Sequence, residues 1–477
     1  MSSKIISIYT FSKIIKSKIK LNKINESLES IKSKIGDIVT EPSCNSIAYG
    51  SEKIDSLCNL IGEENLKLHK ISIKNNRKLS DINYYIATKV LNSGGHSKLI
   101  ANLINAKPDE KHCILLTGIR GKSDTEFFKK EMCIENVELK ILNVPFKRLD
   151  QKLTWMQKHL SSENPKKVHL FNDHNDSVAV SSISKSMNID CNFYHHADYK
   201  ICLGVFSKNF KHIDVNNCAY FNCKNTLDIE NYYVPCAVED LGFRDVSNNS
   251  NSHLITCSVG GRNKIEEDYA YDNLKIIVDI LKSSKGKHVH IGKLTPIGIL
   301  KIKYLLFKNK ISFKNFKYIK WTKSVWKTFQ NEKIDLFIAP FPIVGGMTLI
   351  EALGSGIPIA CHKNIYSRNL SGIDMINMNS FLWENDDELL YFISKISKNK
   401  LSTMSKSGRD FYEKYYSLDN FLLSLNRIKS CNIPELHDIN YSINKDEYAF
   451  YLESRISLKN YIKRIVHRVL AYIISKI

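Results

Sequence analysis

The segment with the most chemical content places two glycines between an apolar run and the start of a helix. Leu336–Ala339 is apolar throughout, as in a parallel strand that is covered on both faces. Gly345 and Gly346 let a ligand approach the backbone, and the helix opens at about Thr348. Helix-start amides and the helix dipole favour a phosphate group there. Glu351, one turn into the helix, can accept hydrogen bonds from a ribose diol, so the predicted ligand is a nucleotide diphosphate.

A second glycine turn carries two cations. The strand-like run Leu254–Ser258 leads directly into Gly261, Arg262 and Lys264. Departure of a diphosphate leaving group builds negative charge, and fixed Arg or Lys donors stabilise that charge without a metal ion. Arg262 is the stronger candidate. For Lys264, simple solvation at the surface is the alternative interpretation.

These two motifs resemble those of the GT-B glycosyltransferases, whose C-terminal domain binds the sugar-nucleotide donor. The first matches the form Pro-x-x-Gly-Gly-x-Thr-x-x-Glu-Ala-x-x-x-Gly-x-Pro, starting at Pro342, and the resemblance covers roughly residues 82–430. In the second, the family spacing between Arg and Lys is wider than that from Arg262 to Lys264. The resemblance implies a UDP- or GDP-linked sugar as the donor. It implies donor-binding roles for Gly94, Gly95, Gly261, Arg262, Lys264, Trp321, Gly345, Gly346, Met347, Thr348 and Glu351.

One departure from the family pattern concerns stereochemistry. Many retaining members carry a second glutamate eight positions before the ribose glutamate, where it contacts the donor sugar. Here that position is Ile343. The sequence therefore leaves open whether the anomeric configuration is retained or inverted.

A loop in the first half of the chain also brings glycines to the end of a strand. Asn92–His96 contains Gly94 and Gly95 and lies where a strand-like run meets a helix-like one, so its backbone can approach a ligand. A tight connection without a ligand is the alternative. In GT-B enzymes the same position lies beside the donor phosphate and the reacting centre, which favours the functional interpretation.

A histidine pair follows another strand of the first half. His195, His196 and Asp198 come after Asn192–Tyr194, at the carboxyl edge where open α/β sheets bind ligands. An imidazole titrates near neutrality, so either histidine is a candidate base toward an acceptor hydroxyl in an inverting enzyme. In a retaining enzyme it would instead bind the donor sugar. Asp198 would orient the base, and one of the two histidines is expected to be a core residue.

Two other segments allow two interpretations each. Trp321 ends a short strand at the place where GT-B enzymes receive the nucleotide base, and it is either a platform for the base or a core residue. Asn172–Asp176 superficially resembles a metal-binding Asp-x-Asp motif, but its spacing is wrong. We favour a helix cap formed by Asp176 or Asn175.

The elements that position these loops follow from the hydrophobic pattern. Strand-like and helix-like segments alternate from about Asn83 to Tyr194 and again from Leu254 to Cys361, which predicts parallel, doubly wound sheets. The predicted fold class is α/β, with two Rossmann-like domains facing across a cleft as in GT-B. The expected divisions are an N-terminal extension (1–81), an acceptor domain (82–246), a Ser- and Asn-rich linker (247–252), a donor-binding domain (253–407), a crossover helix (408–430) and a basic amphipathic tail (431–477).

Composition limits the classes of partner. The 477 residues exceed the usual size of one core, so two domains are expected. Lys and Arg total 69 against 49 acidic residues, a net charge of +20 that favours a phosphorylated ligand, an anionic bilayer or nucleic acid. Lys- and Asn-rich usage from an AT-rich genome is the alternative explanation. Twelve cysteines without a Cys-x-x-Cys pair predict reduced core thiols, and neither a metal nor a cofactor is expected.

The end of the chain favours a membrane surface. Residues 456–477 place apolar side chains on one helical face and Lys or Arg off that face. Such a tail suits an anionic bilayer, although the same face could pack on the protein core. No segment has the length and apolar character of a signal peptide or a membrane span. We therefore expect a cytoplasmic protein, peripheral at the inner face of the cytoplasmic membrane.

Three functions are compatible with these observations. The resemblance implies a metal-independent hexosyltransferase that moves a sugar to a glycan or lipid-linked acceptor in cell-surface polysaccharide or lipooligosaccharide synthesis. A sugar-nucleotide epimerase of the same fold is the first alternative. A noncatalytic basic protein that binds membranes or nucleic acid is the second. The basic residues are diffuse and form no aromatic-basic stripe, which argues against nucleic acid as a partner.

Overall fold

The fold is described from a computed structural model of the chain. It describes residues 7–41, 44, 48–71, 79–92, 94–133, 135, 137–244, 246, 253–266, 269–365, 367–426 and 432–439. These residues group into two compact units. Residues up to Cys236, with those from Leu422 to Asn426, form the N-terminal unit, and the described residues of 237–421 and 432–439 form the C-terminal unit.

The N-terminal unit is built on one parallel sheet. Its described elements are α1 (Ile8–Lys20), α2 (Ile24–Thr40), α3 (Glu52–Leu68), β1 (Ile82–Ala87), α4 (Gly95–Asn105), β2 (Lys111–Leu116), α5 (Thr125–Phe127) with a following π-helical turn (Phe128–Met132), β3 (Leu139–Asn143), α6 (Leu149–Glu163), β4 (Lys167–Phe171), α7 (Ser177–Ser181), β5 (Asp190–His195), β6 (Lys211–Asp214), α8 (Asn217–Asn225) and β7 (Asn231–Tyr233). The strand order is β3-β2-β1-β4-β5-β6-β7. The order reverses between β1 and β4, the usual position of ligands in a doubly wound sheet.

The first three helices belong to the core of this unit. Their amphipathic faces bury side chains such as Ile15, Leu28 and Ile61 in the same hydrophobic cluster as the sheet. Asp55 of α3 accepts hydrogen bonds from the amides of Gly204, at 2.8 Å, and Phe206, at 2.9 Å. The N-terminal extension, whose shape the sequence did not indicate, is therefore a helical layer packed on the first sheet.

The C-terminal unit repeats the same design. Its described elements are β8 (Ile255–Val259), α9 (Arg262–Ile265), α10 (Asn273–Ser284), β9 (Lys287–Ile291), α11 (Pro296–Lys308), β10 (Phe316–Ile319), α12 (Val325–Asn331), β11 (Leu336–Ile338), α13 (Gly346–Ser355), β12 (Ile359–His362), α14 (Arg368–Ser371), β13 (Phe381–Trp383), α15 (Asp386–Lys395), α16 (Lys398–Tyr415) and α17 (Leu418–Asn426), whose last residues group with the N-terminal unit. The strands are parallel in the order β10-β9-β8-β11-β12-β13. This order reverses between β8 and β11, the two strands that carry the glycine motifs.

The predicted α/β class with two Rossmann-like domains is confirmed. Predicted strands coincide with β1–β5 and β8–β12 to within a few residues, and α11 begins at Pro296, with Thr295 accepting the hydrogen bond of an N-cap. Within the crossover helix expected over 408–430, the described residues belong to two helices, α16 and α17, separated at Tyr416 and Ser417. The linker 247–252 and the tail 456–477 lie outside the described residues. Across the described part of the chain, every helix is too short or too polar to cross a bilayer.

Candidate functional site

The strand order of the C-terminal unit brings the two glycine motifs together. Lys264, in the short helix after β8, donates a hydrogen bond from Nζ to the carbonyl oxygen of Val344, at 2.8 Å, in the loop after β11. A Cβ placed on Gly345 would lie 3.1 Å from the same Nζ. An ammonium group thus lies against the glycine loop at the point where the strand order reverses. The interpretation of Lys264 as a solvated surface residue does not hold.

The start of α13 presents open backbone amides beside that ammonium group. Gly345 is the N-cap residue, and no side chain caps the helix. The hydroxyl of Thr348 donates to the Gly345 carbonyl oxygen at 2.7 Å, which holds the loop in shape. The first amides of a helix have no partner within the helix and carry partial positive charge. Gly346 and Met347, the first two residues of α13, therefore offer amides to an anion next to Lys264.

Close backbone packing on the β8 side fixes the second motif. The amide of Gly260 donates to the carbonyl oxygen of Ile291 at 2.8 Å. The amide of Arg262 donates to the carbonyl oxygen of Lys293 at 2.9 Å. Gly292 has a φ of +132°. A Cβ at that position would lie far inside van der Waals contact distance of the Gly260 carbonyl oxygen. Only glycine fits there, and sequence reasoning missed it although a glycine directly after a strand was the available signal.

The charges at this edge differ in their environments. Loss of hydration lowers the pKa of Lys264 to about 8, because protein atoms replace much of the water around its ammonium group. Arg262, the first residue of α9, is exposed to solvent, and Gly261 forms its N-cap. One cation is thus held against the loop, while the other projects freely. Both carry positive charge at neutral pH and attract a diphosphate.

The two residues expected to meet the nucleoside lie on flanking elements. Trp321 follows β10, the edge strand of the sheet, and is 49% exposed, so it is not a core residue. Glu351 lies on α13, about a turn beyond its start, and is half-buried. The structure therefore leaves Trp321 accessible to a base and places Glu351 on the helix whose start offers the amides.

In the N-terminal unit, His195 is the core member of the histidine pair. It is fully buried at the end of β5, and its Nδ1 lies 3.1 Å from Oδ1 of Asp214. Cys223 lies 3.6 Å from the same nitrogen. His195 therefore cannot reach an acceptor, which leaves His196 as the candidate base. Sequence reasoning missed Asp214, because the hydrophobic pattern does not mark β6, the strand that carries it.

His196 lies beside the other predicted loop of this unit. Its ring stacks on that of His96, with centroids 5.3 Å apart. His96 is the second residue of α4, and Gly94, with a φ of +137°, is the N-cap residue before Gly95. Burial holds the pKa of His196 well below its ordinary value, so the ring is neutral at neutral pH. The structure thus brings the glycine loop and the histidine loop to one edge of the sheet.

Asp198 lies next to the first turn of α8. Its carboxylate accepts a hydrogen bond from the side chain of Asn216, the N-cap residue of α8. Burial raises the pKa of Asp198 to about 7. The contact with Asn216 fixes the loop after β5 against α8.

Asp176 is confirmed as a helix cap. Its carboxylate accepts a hydrogen bond from the amide of Ala179 at 2.9 Å, at the start of α7. The same buried carboxylate accepts hydrogen bonds from the hydroxyls of Thr88 and Thr117, after β1 and β2. Asp176 thus links the ends of three strands through hydrogen bonds. These contacts account for the segment without a metal ion.

Comparison with known proteins adds evidence on the fold. No protein-family model matches the sequence, and no curated protein matches it. Among solved structures, HepE of Anabaena in complex with UDP and glucose is similar with a TM-score of 0.54 and 10% identity, covering 72% of this chain and 98% of HepE. WaaG, a glycosyltransferase involved in lipopolysaccharide biosynthesis, has a TM-score of 0.50 at 11% identity, covering 73% of this chain and 100% of WaaG.

A third structure, a mutant of the O-GlcNAc transferase of Thermobaculum terrenum, has a TM-score of 0.51 at 9% identity and covers 87% of this chain and 80% of the transferase. Identities this low establish the fold alone. Together with the two parallel sheets, they show that this chain has the two-domain GT-B fold.

Proposed function

We propose that this chain is a glycosyltransferase whose C-terminal unit binds a nucleotide-sugar donor. The observation that carries the proposal is the contact of the Lys264 ammonium group with the Val344–Gly345 loop, at the open start of α13. Helix-start amides with an adjacent cation form a binding site for phosphate groups. Their position at the reversal of the strand order is where α/β sheets bind nucleotides.

In the proposed mechanism the diphosphate is the leaving group. The amides of Gly346 and Met347 and the ammonium of Lys264 neutralise the charge that develops on its oxygens as the glycosidic bond breaks. Arg262, which is exposed and mobile by nature of its long side chain, adds a second cation once the donor is bound. Glu351 accepts hydrogen bonds from the ribose diol, and Trp321 provides an exposed aromatic surface for the base.

The ligands bound in the similar structures suggest an order of preference among the candidate donors. HepE was crystallised with UDP, with UDP and glucose, and with UDP-glucose. We therefore place a UDP-linked hexose first and a GDP-linked hexose second. WaaG acts in lipopolysaccharide biosynthesis, which supports a glycan or lipid-linked acceptor from cell-surface polysaccharide or lipooligosaccharide synthesis.

We assign the acceptor to the N-terminal unit. There, His196 is the only member of the histidine pair that is not fully buried, and its neutral ring lies beside the Gly94–Gly95 loop. In an inverting reaction, His196 takes the proton from the acceptor hydroxyl as the new glycosidic bond forms. The half-buried Ile343, which stands where many retaining relatives of this fold have glutamate, offers no carboxylate to the sugar. This favours the inverting course.

A described surface supports the proposed location at a membrane. Helix α11 buries Ile302 and Leu306 but exposes Leu300, Tyr304 and Phe307, which are 65%, 61% and 75% exposed. These three side chains recur at helical spacing, and exposed lysines lie on the same helix. An apolar stripe among lysines suits the surface of an anionic bilayer.

Vesicle sedimentation tests this location. Replacing Leu300 and Phe307 by Ser should weaken binding to phosphatidylserine vesicles about 10- to 100-fold, since each side chain buries apolar surface on binding. Deleting residues 456–477 should also reduce it. Neutral phosphatidylcholine vesicles are the control. Equal sedimentation of all forms with anionic vesicles would contradict membrane association through these segments.

The donor assignment is tested by screening nucleotide sugars with the full chain. The expected result is thermal stabilisation by UDP or GDP and slow hydrolysis of one sugar nucleotide, both reduced in Lys264→Met. An epimerase would instead convert one sugar nucleotide into its isomer without releasing nucleotide. Absence of stabilisation and of turnover across UDP-, GDP-, ADP- and TDP-sugars would refute the proposed function.

A further inference from the structure

Four buried side chains of the N-terminal unit, among them His195, converge on one point in the interior behind His196. His195 lies on β5, His212 and Asp214 lie on the neighbouring strand β6, and Cys223 lies on α8. The strands pair in parallel with His195 opposite Asp214. All four residues are at most 3% exposed. Their candidate ligand atoms, two imidazole nitrogens, a carboxylate oxygen and a thiol sulfur, all lie within 4.8 Å of one another.

Four of the six separations between the ligand atoms are close to those of ligands around one small ion. Oδ1 of Asp214 lies 3.1 Å from Nδ1 of His195, 3.2 Å from Nε2 of His212 and 3.5 Å from Sγ of Cys223. Sγ lies 3.6 Å from Nδ1 of His195. For Zn²⁺ with bonds of about 2.0–2.1 Å to N and O and about 2.3 Å to S, tetrahedral angles place N and O about 3.3 Å apart. The same geometry places S about 3.5–3.6 Å from N or O.

Hydrogen bonding alone accounts poorly for this arrangement. Three potential donors approach Oδ1 of Asp214, whereas one carboxylate oxygen presents two lone pairs. A buried carboxylate is also costly in the interior unless its negative charge is compensated. A divalent ion bound by a carboxylate and a thiolate gives a cluster with no net charge.

We propose that His195, His212, Asp214 and Cys223 bind a structural Zn²⁺ ion. The imidazoles of His195 and His212 coordinate as neutral ligands through Nδ1 and Nε2, and Asp214 coordinates through Oδ1. Cys223 coordinates as a thiolate, so one thiol proton passes to solvent for each ion bound. Oδ2 of Asp214 accepts a hydrogen bond from Asn231 of β7, at 2.6 Å, which fixes the orientation of the carboxylate.

The burial and coordination number define the role of the ion. Four protein ligands fill a tetrahedral shell and leave no position for a substrate, as in structural zinc sites. The ion joins β5, β6 and α8 and thereby anchors the chain directly before His196. This site is independent of the proposed donor site in the C-terminal unit.

Metal analysis of the purified full-length protein tests the proposal. We expect one zinc ion per chain in the wild type and in Cys191→Ser, a control that changes another buried cysteine of β5. We expect loss of zinc in Cys223→Ser. Because that variant may unfold, the wild type is also exchanged with Co²⁺, which should give a thiolate-to-cobalt charge-transfer band and a tetrahedral ligand-field spectrum.

The outcomes separate the zinc site from a hydrogen-bonded cluster. Equimolar zinc that is lost in Cys223→Ser, or a thiolate-to-cobalt band in the wild type, supports the proposal. Wild-type protein that contains no zinc and gives no such band with added Co²⁺ overturns it. Zinc that stays bound in Cys223→Ser also overturns it, because the ion then lies elsewhere. None of these results depends on nucleotide binding, so they do not test the assignment of the donor site.

Discussion

The unusual environment of Lys264 makes a specific prediction about pH. Because its pKa in the free protein is about 8 rather than the ordinary 10.5, the side chain loses its charge within an accessible range. At about pH 7 roughly 90% of the molecules carry the ammonium form, and at about pH 9 roughly 10% do. A bound diphosphate favours the charged form, so binding weakens as pH rises through the pKa of the free protein.

The expected size of the effect follows from that population. With the charged form binding about tenfold more tightly than the neutral form, the dissociation constant of UDP should rise about fivefold between about pH 7 and about pH 9, which corresponds to roughly 1 kcal/mol. The phosphate itself contributes little to this change, because its last proton dissociates at about pH 6. Isothermal titration calorimetry at constant ionic strength measures the dissociation constant of UDP at each pH. Repeating the titration in buffers of different ionisation enthalpy reports the proton taken up on binding.

Two variants make this experiment decisive. Lys264→Met should bind UDP about tenfold more weakly at about pH 7 and show a flat profile up to about pH 9. Lys282→Met, which removes an exposed lysine at the opposite end of the sheet, should behave as the wild type. A wild-type profile that changes less than twofold, or a Lys264→Met profile with the wild-type slope, would refute the reasoning.

Three further substitutions test other parts of the account. Glu351→Ala should weaken UDP binding by about 10- to 100-fold but leave pyrophosphate binding unchanged, since only the ribose contact is lost; calorimetry with both ligands checks this. His196→Ala should lower turnover about 10²- to 10⁴-fold with an unchanged dissociation constant for UDP, and an unaltered turnover would exclude it as the base. Gly292→Val should destabilise the C-terminal unit by about 1–3 kcal/mol or more, measured by denaturant unfolding, because its positive φ and the Gly260 carbonyl exclude a side chain. Gly121→Ala, where a Cβ meets open space although φ is +105°, is the matched control that isolates the steric part.

The local elements were predictable because their signals are local. The apolar run at Leu336 indicated a buried strand, and it pairs on both sides, with β8 and β12. Pro296 marked the start of α11, and Asp176 marked the cap of α7. In each case the pattern that reveals the element lies within a few neighbouring residues. It can therefore be recognised from the sequence alone.

The parts that sequence reasoning missed depend on contacts between distant segments. Lys264 and Val344 meet because β8 and β11 are neighbours in the sheet, and neither motif contains that information. The exposure of Trp321 follows from the position of β10 at the edge of the sheet. His195 is the last residue of β5 and His196 follows it, and His195 is the buried one because Asp214 of β6 and Cys223 of α8 lie against its ring.

The most direct test of the central claim is a crystal structure of the full chain with UDP. The account predicts the diphosphate at the start of α13, with oxygens within hydrogen-bonding distance of the amides of Gly346 and Met347 and of Nζ of Lys264. It also predicts the ribose hydroxyls on the carboxylate of Glu351. UDP bound elsewhere in the molecule, with solvent at the start of α13, would contradict the account.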